Sequence, residues 1–308
     1  MSFTLLLIQC LNGLQYGTML FLIAAGLTLV FGVMGFINLA HGVLYMVGAY
    51  LAFAFLNLTG NFWIAALLAM VAALVFGLAL EHFVFRHLYT RNHLDQVLAT
   101  FGIIIFLNEL AKVLFGAATL SIPVPALLDG SIPLTPELNY PVYRLAIIGV
   151  GLLVAALLYG IVSHTRVGML VRAGATTPEM VNALGVNIER LFMIVFGVGA
   201  MLAGFAGVIA APIFAIEPGM GDNILIVAFV VIIIGGIGSI RGAFVAALLV
   251  GLIDTLGRSL ATEMTGFVFS PSMSNQIGPA LASMLIYILM AAILIFRPQG
   301  LLPAKGTA

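Results

Sequence analysis

The sequence predicts an all-α protein that crosses a membrane many times, that is, a polytopic helical membrane protein. Hydrophobic residues make up 63% of its 308 residues and charged residues only 7%, and the mean hydropathy is +1.25. About a quarter of the residues in a soluble domain are charged, so this chain is too apolar to be one. Several apolar segments also reach the roughly 20 residues that a helix needs to cross a bilayer.

The apolar segments predict the spans in order. Single helices are expected at residues 5–33, 38–58, 61–85, 95–116, 142–163, 191–214 and 279–296. The stretch 224–257 is too long for one ordinary span, and GGIGSIRG at 235–242 divides it. Each piece has about 16 residues and a length of about 24 Å at 1.5 Å per residue. The chain therefore has eight transmembrane helices, or nine if the divided stretch crosses twice.

The few charged residues orient these spans, because cytoplasmic loops collect lysine and arginine. Three connections are basic and are expected to be cytoplasmic: Arg86 and Arg91, then Arg166, Arg172 and Arg190, then Arg297 and Lys305. Nine crossings with the N-terminus outside and the C-terminus in the cytoplasm satisfy all of them. No basic residue precedes Arg86, so we expect the first apolar segment to be a span and not a secretory signal.

Residues 164–190 form the longest polar stretch and are expected to be a cytoplasmic loop that contains a short helix. Thr177 suits the N-cap and Pro178 the first helical position. Glu179 favours the positive N-terminal end, and Gly185 suits the stop. The helix would present Met180, Val181, Ala183 and Leu184. Two interpretations are open: the helix is tucked under the bundle, or it docks into another protein.

The other long loop, residues 117–141, is rich in proline. Proline favours an extended or capped surface segment over a continuing helix. On the predicted orientation this loop lies outside, where it is able to meet an external partner.

The residue patterns of an enzyme are missing from the sequence. There is no G-x-x-x-x-G-K-[ST] motif, so we expect ATP to be handled by another chain. His82, His87 and His93 have spacings that match no ordinary zinc site, and the single cysteine, Cys10, is far from them. A net charge of zero gives no electrostatic basis for binding nucleic acid. We expect no metal or cofactor bound by this chain.

Two charge pairs are expected at membrane depth. Glu109 and Lys112 are three residues apart on one predicted helix, and Asp254 and Arg258 are four apart on another, so each pair is within reach of neutralising itself. A proton relay needs a chain of carboxylates or histidines across the bilayer. The two pairs therefore argue against a proton-driven carrier.

Two glycine-rich motifs interrupt apolar segments. GFINLAHG contributes Gly35, Asn38, His41 and Gly42, and GGIGSIRG, 200 residues later, contributes Gly235, Gly236, Ser239 and Gly242. Non-helical backbone at membrane depth is tolerated only where it lines a cavity or is buried in protein, so both motifs are candidates for a transport pathway. The alternative for each is a tight cytoplasmic turn between two helices. A third motif, the small residues Ala200, Gly204 and Gly207, predicts close contacts between helices.

Three stretches together resemble one family. GLTLVFGVMGFINLAHGVLYMVGAY (26–50), VRAGATTPEMVNALGVNIERLFMIVFGVGAMLAGFAGVIAAP (171–212) and IIIGGIGSIRGAFVAALLVGLID (232–254) are similar to the LivH-type permease of bacterial branched-chain amino acid ABC importers. The tail FRPQGLL (296–302) is similar as well. The resemblance runs over essentially the whole chain, which is then a single permease domain, residues 1–308.

The resemblance implies a multi-pass protein of the bacterial inner membrane with the helical permease fold of vitamin B12 and ribose importers. It implies a homologous LivM-type permease, two ATPase subunits that bind ATP and Mg²⁺, and a periplasmic substrate-binding protein as partners. The helix at 177–185 then matches the family's coupling helix, with Met180 and Val181 in place of two alanines. The pathway would run between the two permeases, beside Asn38, His41 and the glycine-rich breaks.

Other functions stay open on the sequence alone. Urea and short-chain amide importers have similar permeases, so the resemblance does not fix the substrate. From a different class, an ATP-independent channel or an ion-coupled carrier would also be an apolar multi-span protein.

Overall fold

The computed structural model describes residues 3–35, 38–89, 91–135, 138–267 and 270–303. Lys305 and the Phe36–Ile37 pair of the first glycine-rich motif lie outside the described residues. The described helices are α1 (Phe3–Met34), α2 (His41–Thr59), α3 (Phe62–Phe83), α4 (His93–Phe115), α5 (Val142–His164), α6 (Arg166–Thr176), α7 (Pro178–Ala183), α8 (Ile188–Ala210), α9 (Met220–Gly235), α10 (Ile240–Thr265) and α11 (Pro271–Phe296). Short 3₁₀ turns cover Phe85–Leu88 and Ala126–Leu128, and the strands β1 (Ser131–Thr135) and β2 (Leu138–Pro141) pair antiparallel.

Side-chain caps define where several helices begin. The Asn61 side chain accepts hydrogen bonds from the backbone N–H groups of Trp63 and Ile64 at the start of α3. Asn187 caps α8 through the Arg190 N–H at 2.9 Å. These caps pair N–H groups that have no partner within the helix itself, so α3 and α8 start at fixed residues.

The two ends of the helical bundle carry different loops. At one end lie α6 and α7, together with the last turns of α1, and we call this end the α7 face. At the other end lies the β1–β2 hairpin, which is attached to α1 because the Tyr140 hydroxyl and the Arg144 guanidinium both donate to Asn12 Oδ1, at 3.1 and 2.6 Å. We call this end the hairpin face. The proline-rich loop is therefore an extended structure packed on the bundle, as its prolines predict.

Eight helices in the described part of the chain are long and apolar enough to cross a membrane: α1, α2, α3, α4, α5, α8, α10 and α11. α9 is apolar but has only 16 residues. It nevertheless connects α8, which ends at the hairpin face, to α10, which begins at the α7 face. The described chain thus passes nine times between the faces and ends at the α7 face.

Three sequence predictions about helix boundaries are wrong. α10 continues to Thr265 beyond the predicted end at 257, and α11 begins at Pro271 and not at 279. Pro279 is a local start signal, but α11 passes through it because α10 and α11 pack closely, with Gly278 against Thr262. The polar stretch before Thr177 also forms a helix, α6, whose N-cap Thr165 accepts from the Gly168 N–H at 3.1 Å.

Helices α1 and α8 form the centre of the bundle, and small residues let their neighbours approach. Gly204 of α8 lies against both Gly48 of α2 and Ala73 of α3. Gly207 lies against the backbone of Tyr45, where an added Cβ would be 2.0 Å from the carbonyl oxygen. The small residues of α8 therefore make the close helix contacts that their spacing predicts.

Replacing Gly207 with valine should destabilise the protein strongly. The new Cβ would clash with backbone atoms of α2, which cannot move aside as a flexible side chain can. We therefore expect the free energy of unfolding to fall by about 3 kcal/mol or more. The melting temperature of the purified protein in detergent measures this loss. Gly149→Val on α5 is the matched control, because nothing lies within 4 Å of its added Cβ. Equal melting temperatures for the two variants would contradict the packing described here.

Candidate functional site

Helix α2 begins inside the bundle and not at its edge. His41, the first residue of α2, is fully buried, and its Nε2 lies 3.2 Å from the carbonyl oxygen of Ile23. Ile23 precedes Met34, the last residue of α1, by about three helical turns, or roughly 16 Å along the axis. The chain therefore returns into the bundle after α1 before it becomes helical again.

Helix α9 begins beside α2. The Cα of Gly42 packs against Gly221, since a Cβ added to Gly42 would lie 2.3 Å from the Gly221 carbonyl oxygen. Just before it, the Gly219 N–H donates to Asn108 Oδ1 of α4 at 2.9 Å. The half-buried N-terminus of α9 thus contacts the buried N-terminus of α2 through Gly221, while Asp222 in the first turn of α9 stays exposed. We call the residues 38–42 and 219–221 the junction.

Polar groups at the junction lack partners. Asn38 is fully buried, and within the described chain neither its Nδ2 nor its Oδ1 makes a hydrogen bond. The same holds for Nδ1 of His41. Among the residues that the structure describes, no side chain caps the N-terminus of α2 or α9 by a hydrogen bond. Unpaired polar groups are costly in an apolar interior, and helix N-termini inside a membrane protein are a recurring element of transport sites.

The two glycine-rich motifs therefore differ. The first places Asn38, His41 and Gly42 at the junction, with Gly35 at the end of α1 in a left-handed conformation (φ 60°). The second is a tight turn at the α7 face, in which Ser239 Oγ caps α10 by accepting from the Gly242 N–H at 3.1 Å. The turn interpretation, which the sequence left open for both motifs, describes the second motif; for the first it stays open, because residues 36–37 lie outside the described residues.

The second motif also holds the C-terminal tail. Gly236 has φ 103°, which leaves the last carbonyl groups of α9 open, and the tail covers them. The Leu301 N–H donates to the Ile234 oxygen at 2.8 Å and the Leu302 N–H to the Gly235 oxygen at 3.1 Å. Gly235 and Gly242 pack against each other across the turn. These glycines allow the end of α9, the start of α10 and the tail to pack closely together.

A cavity of about 1270 Å³ opens next to this turn. Its walls come from the ends of α1 and α5, from α6, from the second motif and from the tail. Ser239 lines the cavity, whereas Asn38, His41 and Gly42 do not. Arg241 lies over the ring of Tyr159, with the guanidinium carbon 4.5 Å from the ring centre. The structure thus separates the predicted pathway residues into a buried junction and the wall of a cavity at the α7 face.

The predicted short helix exists as α7. It begins after Thr177, with Pro178 at its first position, and ends before Gly185, which has φ 87°. Glu179 and Ala183 are exposed, as are the side chains of Met180 (65%) and Leu184 (79%). Thr177 occupies the predicted N-cap position, but its side chain makes no cap hydrogen bond in the described chain. One detail of the prediction is wrong: Val181 is buried because it faces the bundle.

One buried charged residue, Glu81, is not singled out by any pattern in the sequence. Glu81, in the last turn of α3, is completely buried and pairs with Arg86. Glu81 and Arg86 are five residues apart, and this spacing is not one that places two side chains next to each other on a helix. Helix periodicity therefore does not predict the pair. Tyr89 donates to Glu81 Oε1 at 3.1 Å, and burial together with the nearby carboxylate raises the pKa of Tyr89. Tyr89 therefore stays a hydrogen-bond donor at neutral pH.

The expected self-neutralising pairs are present. Lys112 Nζ lies 2.6 Å from Glu109 Oε1, and both side chains are substantially exposed. Arg258 makes two hydrogen bonds of 2.9 Å to the carboxylate of Asp254. No cluster of three potential metal-ligating side chains occurs within the described ranges.

The helices and the junction define the class: this is a polytopic α-helical membrane protein in which α2 starts inside the bundle, beside the start of α9. Over residues 9–294 the sequence matches the family described as branched-chain amino acid transport system / permease component. The chain belongs to that family, which consists of transport permeases and not of enzymes.

Individual relatives agree with this assignment. The chain is 31% identical over 308 aligned residues to the high-affinity branched-chain amino acid transport system permease protein BraD of Pseudomonas aeruginosa, with 96% of this chain and 94% of the relative covered. It is 31% identical over 277 residues to LivH of Escherichia coli K12, covering 85% of this chain and 89% of LivH. A probable LivH of Methanocaldococcus jannaschii is 26% identical over 297 residues, covering 93% and 89%. No solved structure matches the chain.

Proposed function

We propose that this chain is the permease subunit of an ABC importer and that it carries leucine, isoleucine and valine across the bacterial inner membrane. Family membership over residues 9–294 is the observation that carries the proposal. The names of the relatives support the substrate class, since BraD and LivH are permeases of high-affinity branched-chain amino acid systems.

The α7 face is cytoplasmic in this proposal, and the hairpin face points outward. The basic residues Arg86, Arg172 and Arg190 belong to loops or helices at the α7 face, and cytoplasmic segments collect such residues. The C-terminus is then cytoplasmic. The β1–β2 hairpin lies on the side from which a periplasmic binding protein would deliver the substrate.

Energy would come from outside this chain. Two ATPase subunits would bind ATP and Mg²⁺ at the α7 face, and a homologous LivM-type permease would complete the membrane part. α7 is the proposed contact with an ATPase, because Met180 and Leu184 expose large apolar side chains next to a cytoplasmic loop. Binding of ATP would displace residues 177–185 and change which side of the permease pair is open.

The junction would belong to the moving part of the permease. Its unpaired Asn38 amide and the uncapped starts of α2 and α9 leave polar groups that another state of the transport cycle is able to pair. A difference in affinity between states is what converts such a movement into transport. The pathway itself would run between the two permeases, beside the junction and the cavity that Ser239 lines.

Uptake in cells tests the proposal. A strain without branched-chain amino acid uptake would express this chain with its LivM-type permease, ATPases and binding protein, and accumulation of radiolabelled leucine would be measured. We expect leucine uptake that is inhibited by isoleucine and valine but not by urea or acetamide. We also expect this uptake to cease when the P-loop lysine of the ATPase is replaced. Uptake of urea or acetamide in place of leucine would refute the substrate class. Uptake that persists without functional ATPases would indicate a channel or an ion-coupled carrier.

A further inference from the structure

A buried charge cluster lies at the α7 face, away from the junction and the cavity. Glu81 is fully buried in the last turn of α3, and a carboxylate in such a place is costly unless charges or hydrogen bonds compensate it. Its Oε1 accepts a hydrogen bond from the Tyr89 hydroxyl at 3.1 Å. Its Oε2 lies 3.6 Å from Nη2 of Arg86. Glu81 therefore holds the loop after α3 in one position.

The same guanidinium reaches a carboxylate on a second helix. Arg86 Nη1 lies 3.6 Å from Oε2 of Glu189, in the first turn of α8. The Glu189 side chain is 71% exposed, whereas that of Glu81 is completely buried. One arginine thus links a buried anchor on α3 to an accessible position at the start of α8.

Aromatic contacts make this link a rigid one. The Phe85 ring lies 4.7 Å from the Phe196 ring of α8, and the Tyr89 ring lies 5.7 Å from that of Phe192, measured between ring centres. On the other side, the Gln96 amide of α4 donates to the Leu88 oxygen at 3.1 Å. The segment 85–89 therefore contacts α3, α4 and α8 at once, which gives a continuously packed route from α8 to the other two helices.

A movement of α7 reaches two neighbouring helices first: α6, from which only Thr177 separates it, and the start of α8. α7 ends at Ala183 and α8 begins at Ile188, so only the short segment 184–187 separates them. The Asn187 side chain caps α8 at 2.9 Å, which fixes this segment to the helix. Glu189 is the second residue of α8. A displacement of α7 is therefore delivered within one helical turn of the Arg86 contact.

From these contacts we infer that Arg86 is a positioning residue that carries the displacement of α7 from the start of α8 to α3 and α4, by bridging Glu189 and Glu81. The inference rests on the proposed function, since it requires an ATPase to move α7. Arg86 touches neither substrate nor ATP in this role. It acts only through the two carboxylates and the helices that hold them.

The test uses the complete importer in lipid nanodiscs, with ATP hydrolysis measured without and with leucine-loaded binding protein. Arg86→Gln removes the charge that both carboxylates share, and Glu189→Gln removes only the exposed partner. We expect each variant to reduce the stimulation of hydrolysis by about threefold to tenfold, as mutations along a coupled network do, with basal hydrolysis within about twofold of the unmodified complex. The double variant should show no lower stimulation than Arg86→Gln, since Arg86→Gln alone already removes the contact between Arg86 and Glu189.

Lys112→Gln is the matched control, because it removes the cation of an ion pair at the hairpin face. It should leave stimulation unchanged. Normal stimulation in Arg86→Gln would overturn the inference. So would parallel losses of stimulation, basal hydrolysis and melting temperature in Glu189→Gln, because they would indicate a purely structural role. Failure of the unmodified importer to respond to loaded binding protein would instead refute the proposed function.

Discussion

An importer in which Met180 and Leu184 are both replaced by aspartate should lose leucine uptake by at least about tenfold, because the two apolar side chains are the proposed anchors in an ATPase cleft. Their exposed fractions are 65% and 79%, so aspartate at these positions stays largely exposed in the isolated permease. In a complex the same carboxylates would be buried without a partner. Truncation of a hot-spot residue costs about 2 kcal/mol or more, which is roughly 30-fold in affinity.

Co-purification of the ATPases with the permease, together with leucine uptake, measures this effect. Leu127→Asp is the matched control, since Leu127 is an 81% exposed leucine in the 3₁₀ turn at the hairpin face. It should retain the ATPases and the uptake. Retention of both in the Met180→Asp, Leu184→Asp variant would exclude α7 as the docking helix. The buried Val181 explains why the helix itself should stay attached to the bundle.

Replacement of Asn38 by leucine should change stability and transport in opposite directions. The Asn38 amide is buried without a partner in the described chain, so an apolar side chain with the same branched heavy-atom skeleton removes a desolvation cost of about 1–3 kcal/mol from this conformation. We expect a higher melting temperature and, because the amide would be paired in another state of the cycle, leucine uptake reduced by about tenfold.

Asn108→Leu is the contrasting control for this experiment. Asn108 accepts from the Gly219 N–H at 2.9 Å, so its replacement leaves that donor unpaired and should lower the melting temperature. If Asn38→Leu instead lowers the melting temperature and leaves uptake normal, the amide has a partner in this conformation and the junction has no part in the cycle. Melting curves in detergent and uptake in the reconstituted strain provide both measurements.

Most of the spans follow from the sequence because membrane insertion depends on local hydrophobicity. α5 was expected at 142–163 and is found at Val142–His164. The loop helix was expected from the Pro178 and Gly185 signals and is found between them. The misplaced start of α11 shows the limit of such signals. Pro279 favours a helix start locally, but contacts with α10 keep the helix continuous through it.

The junction lay beyond sequence reasoning for a different reason. Both glycine-rich motifs were equally plausible as breaks, and the partner of Gly42 turned out to be Gly221, which belongs to neither motif. Likewise, nothing in the sequence pairs Arg86 with Glu189, since they are more than 100 residues apart. Both contacts exist only because α2, α3 and α9 pack around α8 and its neighbours.

The sequence by itself determined that this protein is embedded in a membrane, which segments span it, and to which permease family it belongs. Membrane embedding and the positions of the spans depend on local residues, because each side chain partitions into lipid or water according to its own chemistry. Family membership follows from the order and spacing of motifs along the chain. Only the tertiary structure decided that Asn38, His41 and Gly42 of the first glycine motif lie inside the bundle, that the second motif is a turn at its edge, and that one arginine joins two carboxylates. Those properties depend on which helices touch, and that is set by the fit of small residues between distant segments.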